Sequence, residues 1–317
     1  MSQQASSHFA LTPDQINSFN QNGFLIIENF IPSETNTQLR ERIKYVVEHE
    51  FHPNKNHAVF STYKQDAKRD LEKYFEDSVD NISFFLEKNA NIDPETGELK
   101  QDKFSCINKI GHAIHEKDEV FRQFSHQPKL YEIVKTLSHF ERPIILQSMV
   151  IFKQPFIGGE VIAHHDATFL YNEIEQDQTE NPVIGCWFAL EDATRDNGCL
   201  WVLPGSHKWG CIKRWVRVPS EADPNAHDMK MEPLQPELLQ YTTEMNYEHD
   251  KYIPVEVKSG TLVVLHGYLL HKSFENTSSK SREAYTLHIL DQAKPFAKGQ
   301  WIQPKRELVN YFEKQNE

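Results

Sequence analysis

The stretch VIAHHDATFLYNE, residues 161–173, decides how this sequence is expected to fold, because it sets a histidine and a carboxylate within a run of β-forming residues. Side chains at positions i and i+2 of a strand point to the same face of the sheet. We therefore expect His164 and Asp166 to point into the interior together, and His165 to point the other way. One imidazole and one carboxylate are two of the three ligands in the 2-His-1-carboxylate arrangement that holds Fe(II).

The His-x-Asp triplet does not identify a metal site by itself. The chain has 16 histidines and as many aspartates in 317 residues, so about one such triplet is expected by chance. A strand surface that happens to contain histidines remains the alternative at this point.

A second stretch, HGYLLHKSFENTSSKSREAYTLHIL at residues 266–290, offers the missing ligand. His271 follows His164 by 107 residues, which leaves room for several intervening strands. Arg282 follows eleven residues later, and an antiparallel hairpin would bring its guanidinium beside His271. Such a fork can hold a carboxylate bidentately, so the pattern suggests oxidative decarboxylation of 2-oxoglutarate. His266 is a rival ligand, but in a regular strand it would face away from His271.

The runs on either side predict a mainly β protein with flanking helices. From Pro143 onward, β-branched and aromatic runs separated by turn residues predict a sandwich or barrel. We expect a single domain over residues 1–317, with a mostly helical flank at 1–140, a β core at 141–295 and a long loop at 219–250. Helices are predicted at 12–20, where Thr12, Pro13 and Gln15 form a start signal, at 32–51 and at 71–85, and a helix or helix pair is predicted at 118–137.

Bulk properties exclude some classes of partner. The formal net charge of −12 argues against nucleic acid or an anionic membrane surface as the main partner. No apolar run is long enough to span a bilayer, and the first residues lack the pattern of a secretory signal. We therefore expect a cytoplasmic protein that acts on a small molecule, with free thiols at its four cysteines: Cys106, Cys186, Cys199 and Cys211. Oligomeric state is not readable from the sequence.

Several stretches together resemble the phytanoyl-CoA dioxygenase family, closest to its subgroup of phytanoyl-CoA dioxygenase domain-containing proteins. The resemblance extends from about Leu11 to Trp301 and implies a double-stranded β-helix core, also called a jelly-roll or cupin-like fold. The stretches that carry it are NKIGHAIH, QSMVIFKQPFIGGEV, HHDATFLY, WFALEDAT, NGCLWVLPGSH, HGYLLHKS and SREAYTLHILD.

The resemblance also implies roles for particular residues. His164, Asp166 and His271 match the iron ligands, while Arg282 and Ser273 match the residues that hold the distal carboxylate of 2-oxoglutarate. Three further positions match the lining of the cosubstrate pocket, although the last two would equally suit an ordinary core: Lys109, Met149 and Trp187. The subgroup often has glutamine where this chain has His165, so the role of that position is open.

These observations lead to one main hypothesis and two alternatives. The main hypothesis is a non-haem dioxygenase that uses Fe(II), 2-oxoglutarate and O₂ to hydroxylate an unidentified small substrate, with release of succinate and CO₂. The first alternative is a cupin-like protein that binds metal without turnover, as a sensor or binding protein, since one fold hosts many functions. Arg282 argues against it, because a simple metal-binding barrel has no need of that residue. A zinc hydrolase is less favoured because no general base stands out.

Overall fold

The described part of the chain folds into an eight-stranded and a four-stranded β-sheet that line a common cavity, together with a separate two-stranded sheet, and helices pack on the outer face of the largest sheet. The computed structural model describes residues 9–53, 57–59, 69–93, 96, 98–173, 180–221, 226–243 and 251–310. No helix among these residues has the length and apolar character that crossing a membrane requires.

Helices occupy most of the regular structure before Pro143. They are α1 Pro13–Asn22, α2 Ser33–Glu50, α3 Arg69–Ser78, α4 Ile114–Lys117, α5 Glu119–Ser125, α6 Pro128–Ser138 and, later in the chain, α7 Gln240–Thr243.

The start signal of the first helix is confirmed. The Thr12 side chain accepts a hydrogen bond from the backbone N–H of Gln15, and the Gln15 side chain accepts one from the Thr12 backbone. The predicted helix at 32–51 is also confirmed: it forms as α2, whose buried residues include Leu39, Ile43 and Val46. The predicted helix at 71–85 is too long, because α3 ends at Ser78 and the aromatic run that follows forms a strand.

Fourteen strands build the sheets within the described part of the chain. They are β1 Phe24–Ile27, β2 His57–Val59, β3 Ile82–Leu86, β4 Ile107–His112, β5 Pro143–Lys153, β6 Val161–His164, β7 Ile184–Ala189, β8 Leu200–Val202, β9 Lys213–Pro219, β10 His227–Pro233, β11 Ile253–Val255, β12 Leu262–His266, β13 His271–Ser273 and β14 Arg282–Asp291. The larger sheet has eight strands in the order β1-β12-β7-β14-β5-β4-β3-β2, and the smaller has four in the order β11-β8-β13-β6.

Four strands of the larger sheet come from the N-terminal part of the chain. β1 pairs with β12 at one edge, and β4 pairs with β5 to continue the sheet toward β3 and β2. The segment predicted as a helical flank therefore also builds sheet. These strands are short and separated by long helical segments, so their alternation is hard to see in the sequence.

Side chains of the central strand β14 point alternately to the apolar core and to the cavity. Tyr285 and Leu287 belong to the apolar core beneath the helices, whereas Arg282, Thr286 and His288 line the cavity on the other face.

Aromatic rings from α5 close the core side of this sheet. The Phe121 ring lies 4.8 Å from that of Tyr285, and the Phe124 ring lies 5.1 Å from that of Phe188. Burying each such side chain contributes about 1.5–3 kcal/mol, so this packing holds β14 in place.

Residues 219–250 differ from the predicted loop. β10 lies inside this segment and pairs with β9, so that a two-stranded hairpin extends over the cavity. A short helical turn and α7 follow it. Residues 222–225 and 244–250 lie outside the described part, so the prediction is not assessed there.

Candidate metal centre

Two histidines meet where β6 pairs with β13 in the smaller sheet. His271 lies directly opposite His164 in the antiparallel register, and their ring centres are 4.3 Å apart. Each ring holds its Nδ1 against a backbone carbonyl: His164 against Ile162 at 2.8 Å and His271 against Leu269 at 3.0 Å. A carbonyl only accepts, so each Nδ1 carries the proton and each Nε2 keeps a lone pair for a metal ion.

The third member of the cluster, Asp166, comes from a helical turn rather than from the strand. β6 ends at His164, and Asp166 begins a 3-10 turn that runs to Thr168. Its Oδ1 nevertheless lies 3.9 Å from Nε2 of His164 and 3.6 Å from Nε2 of His271. One ligand atom from each of the three residues lies within 4.8 Å of the others. The sequence thus predicted the convergence, but the strand geometry assumed for Asp166 was wrong.

The cluster has the chemical properties that a divalent cation requires. Burial, reinforced by the neighbouring His271, lowers the pKa of His164 to about 3, so that the imidazole stays neutral. Burial alone would raise the pKa of Asp166, but the neighbouring His288, His271 and His164 together outweigh it and hold that pKa well below its ordinary value. Neutral imidazoles and an ionised carboxylate are the forms that bind metal.

An unsatisfied hydrogen-bond acceptor on Asp166 is also consistent with a metal site. Its Oδ2 atom is buried and accepts no hydrogen bond from the described residues. Space for the carboxylate exists because residue 185 is glycine: a Cβ there would come within 2.6 Å of Oδ2. An unpaired buried carboxylate oxygen is costly, and a bound cation would remove the cost.

The other candidate histidines lie outside the cluster. His165 is fully buried and packs near Tyr268, with ring centres 6.4 Å apart, and it does not line the cavity. His266 ends β12 in the larger sheet and packs 4.9 Å from the His207 ring. It is not part of the His164, Asp166 and His271 cluster, but the assumption of one regular strand through His266 and His271 was wrong, since the two residues belong to different sheets.

Arg282 reaches the cavity from the opposite sheet. β14 lies in the larger sheet and β13 in the smaller, so the predicted antiparallel hairpin between them does not form. The Nε and Nη2 atoms of Arg282 donate to the Gly198 carbonyl at 3.2 and 3.1 Å. Nη1 is buried and has no hydrogen-bond partner among the described residues. Burial lowers the pKa of Arg282 to about 10, so the group stays cationic at neutral pH.

The turn that anchors Arg282 requires glycine. Gly198 has φ +85°, a conformation that L-residues with a Cβ rarely adopt. A Cβ at this position would also come within 2.8 Å of the Phe274 carbonyl oxygen. The Asn197-Gly198 turn links strands of different sheets, β7 and β8, and presents a carbonyl to the arginine.

The remaining predicted residues all line the same cavity, whose volume is about 820 Å³: Lys109, Met149, Trp187 and Ser273. Met149 and Trp187 lie on either side of Thr286 in the sheet register, and the Trp187 ring centre lies 5.4 Å from the Arg282 guanidinium. Lys109 projects from β4 with Nζ 5.0 Å from the Phe85 ring centre, and burial lowers its pKa to about 7.

Sequence analysis missed two residues that contact this machinery. His288 places Nε2 3.3 Å from Oδ1 of Asp166, while its Nδ1 lies 3.1 Å from the Gln147 amide nitrogen. The available signal was its position six residues after Arg282, on the same face of the same strand. Lys153 is fully buried near Arg282 and donates to the Phe274 carbonyl at 2.8 Å and to the Gly159 carbonyl.

Comparisons with known proteins agree with this geometry. A family profile described as Phytanoyl-CoA dioxygenase (PhyH) matches residues 19–284. "Phytanoyl-CoA dioxygenase" of Arabidopsis thaliana is 39% identical over 295 residues, covering 93% of this chain and 94% of that protein. "Phytanoyl-CoA dioxygenase domain-containing protein 1" of Mus musculus is 38% identical over 301 residues, covering 94% and 97%.

Solved structures confirm the predicted fold class. EctD from S. alaskensis with 2-oxoglutarate and 5-hydroxyectoine superposes with TM-score 0.59 at 16% identity, covering 98% of this chain and 89% of that one. EctD from the same organism with bound Fe gives TM-score 0.57 at 15% identity, covering 95% and 84%. At such low identity these two structures bear on the fold alone.

Proposed function

The chain belongs to the phytanoyl-CoA dioxygenase family, and from that premise we propose that it is a non-haem Fe(II)- and 2-oxoglutarate-dependent dioxygenase. It would hydroxylate a small organic substrate and release succinate and CO₂. The observation that carries the proposal is the convergence of His164, Asp166 and His271 in a cavity that also receives an unpaired face of Arg282.

The three clustered side chains would hold the iron. Their donor set of two imidazole nitrogens and one carboxylate oxygen leaves coordination positions open for cosubstrate and oxygen. When bound, Fe(II) supplies the redox chemistry that couples oxidation of 2-oxoglutarate by O₂ to oxidation of the substrate. The protein's contribution at the metal is to keep the Nε2 lone pairs of His164 and His271 available and the Asp166 carboxylate ionised.

The neighbouring residues would orient 2-oxoglutarate. The Arg282 guanidinium is fixed by Gly198, so its Nη1 can donate to the distal carboxylate without first being ordered. The Ser273 hydroxyl is buried in the same cavity and would add a second donor. Lys109 would contribute further positive charge.

Apolar side chains would exclude water from this half of the cavity. Met149 and Trp187 form adjoining parts of the wall on either side of Thr286. A dry, low-dielectric wall strengthens the attraction between the arginine and a carboxylate.

His288 would act as a positioning residue for the carboxylate ligand. An amide nitrogen can only donate, so the Gln147 amide makes Nδ1 of His288 the acceptor and leaves the proton on Nε2. That proton points at Asp166 Oδ1 over 3.3 Å. Hydrogen bonds of this kind orient ligating carboxylates and affect metal affinity.

A metal-binding protein without turnover is the alternative. The structure gives it no distinctive support, because the buried, partly unpaired guanidinium of Arg282 serves no purpose in holding a cation. An anionic cosubstrate gives the group a partner.

The test is anaerobic titration with Fe(II) and then 2-oxoglutarate, followed by exposure to O₂ and measurement of succinate. We expect one iron per chain and succinate formation that increases when the correct substrate is added. His271→Gln should lose iron binding, whereas His266→Gln, the control at the rival histidine, should keep it. Iron and 2-oxoglutarate binding without any succinate would favour the non-catalytic alternative.

We also propose a cytoplasmic location. All four cysteines are buried free thiols, the state expected in a reducing compartment. Fractionation of cells that express the full chain checks this proposal, and recovery in an oxidising compartment would contradict it.

A further inference from the structure

The hairpin of β9 and β10 forms one wall of the cavity. Lys213, Trp215 and Arg217 alternate along β9, share one face and all line the cavity. Across the register, Met231 lies opposite Trp215 and Met229 lies opposite Arg217, and both methionines line the cavity as well. This face therefore combines a polarisable apolar surface with two cations.

The two cations of the hairpin face, Arg217 and Lys213, differ in their hydrogen-bond and ion-pair partners. Arg217 donates to the carbonyls of Gln300 and Trp301 at 3.2 and 2.7 Å and pairs with Glu76 at 3.1 Å. It is fully engaged in tying the hairpin to the rest of the wall.

Lys213 has fewer polar partners than Arg217 among the described residues. Its side chain is buried, with 8% of the residue exposed, and its ammonium donates to the Thr242 carbonyl at 3.3 Å. No carboxylate among the described residues lies within ion-pair distance of it. Burial lowers the pKa of Lys213, which shows that the cation is costly in this environment. A buried ammonium of this kind calls for an anionic partner.

Lys213 lies beside the metal cluster, close enough to His164 for the two side chains to interact electrostatically. The strand β9 packs against the turn that carries Asp166, and α7, which holds Lys213 through Thr242, packs against β6. Arg282, at the start of β14, is held instead by the Gly198 carbonyl and reaches the cavity from the larger sheet. Lys213 and Arg282 are therefore held by different elements of the cavity wall, and each is available to a different ligand.

We propose that the prime substrate is a small organic anion, a carboxylate or a phosphate with an apolar body, whose anionic group is bound by Lys213. Trp215, Met229 and Met231 would contact the body of that molecule. A cavity of about 820 Å³ is in the range of small-molecule sites and must hold the cosubstrate too, so the substrate is compact. This inference rests on the proposed function and specifies the substrate class of the same site.

The test uses the full chain loaded with Fe(II) and 2-oxoglutarate in the absence of O₂, so that binding is measured without turnover. Four eight-carbon probes are titrated by calorimetry: octanoate, octyl phosphate, octanol and octylammonium. A charge-assisted hydrogen bond predicts that at least one anion binds about tenfold or more tightly than octanol. Whether octanoate or octyl phosphate binds better identifies the anion.

Substitutions assign the effect to the residue. Lys213→Met keeps the apolar stem but removes the charge, so it should abolish the preference for the anion, whereas Lys213→Arg should retain most of it. Lys230→Met is the matched control, because Lys230 lies on the same hairpin with its side chain exposed. We expect that variant to keep the full preference.

Several results would overturn this inference. The wild-type protein could bind neither anion, or could prefer octanol or octylammonium to both anions. The Lys213→Met variant could also keep the wild-type preference for the anion. If Lys213→Met instead weakens 2-oxoglutarate binding, Lys213 belongs to the cosubstrate site, and the inference fails while the proposed function stands. Wild-type protein that does not load with Fe(II) and 2-oxoglutarate contradicts the proposed function, and titration of the metal-free protein then still tests the anion preference.

Discussion

Replacing Arg282 with methionine tests the assignment of the cosubstrate anchor. In the structure, Nε and Nη2 are occupied by the Gly198 carbonyl, and Nη1 is the nitrogen left for a ligand. One charge-assisted hydrogen bond contributes about 1.5–3 kcal/mol, so Arg282→Met should raise the Kd for 2-oxoglutarate by about 10- to 150-fold. Arg282→Lys should give a smaller loss, because one ammonium cannot both hold Gly198 and present a planar fork.

The same substitution has a structural cost that must be separated from the binding effect. Methionine leaves the Gly198 carbonyl without its donor, which costs about 1–3 kcal/mol of folding free energy and lowers the melting temperature by a few degrees. The assay is anaerobic calorimetric titration of the Fe(II)-loaded protein, with a thermal melt to confirm folding. Arg195→Met is the control, because Arg195 lies in the same turn with an exposed side chain.

A folded Arg282→Met protein whose Kd for 2-oxoglutarate stays within about twofold of the wild-type value would show that Arg282 does not anchor the cosubstrate. Weakened Fe(II) binding in the same variant would also contradict this assignment, since Arg282 is not assigned to the metal.

Three further predictions follow from neighbouring contacts. His288→Ala should weaken Fe(II) binding by about 10- to 100-fold, because it removes the hydrogen bond that orients Asp166, and equilibrium dialysis against Fe(II) measures this. Gly198→Ala should lower both the melting temperature and the 2-oxoglutarate affinity, since the added Cβ meets the Phe274 carbonyl; an unchanged melt would show that the turn tolerates a side chain. The pKa of Lys109 is about 7 in the free protein, so above that pH most of its ammonium is deprotonated. An anionic cosubstrate raises this pKa, so binding at pH 8 should take up a proton, which calorimetry in buffers of different ionisation enthalpy detects, and Lys109→Met should abolish the uptake.

The convergence of His164, Asp166 and His271 could be predicted from the sequence because it depends on local features. A histidine at the end of one strand-like run and a second at the start of another are brought together by a single strand pairing, between β6 and β13. The capping box at Thr12 and the helix at 32–51 likewise depend on local sequence, and both are confirmed.

Features that depend on which strands share a sheet could not be predicted. The sequence around residues 266–290 shows strands separated by turns, but nothing in it says that β13 and β14 lie in different sheets. The cavity therefore receives Arg282 from across the barrel rather than along a hairpin. Asp166 was placed correctly for the wrong reason, since the 3-10 turn after β6 directs its carboxylate to the cluster.

The sequence contained a pattern that predicts the position of His288, although it was not used. Positions 282, 286 and 288 share a face of one strand, so an arginine that points into the cavity predicts that the histidine does as well. The N-terminal strands β1 to β4 gave no comparable signal, because each has only three to six residues.

The most direct measurement is an anomalous difference map at the iron edge, from crystals of the full chain grown without O₂ in the presence of Fe(II) and 2-oxoglutarate. We expect one strong peak per chain within bonding distance of Nε2 of His164, Nε2 of His271 and a carboxylate oxygen of Asp166. Iron bound elsewhere, or a map without a peak between these three side chains, would contradict this assignment.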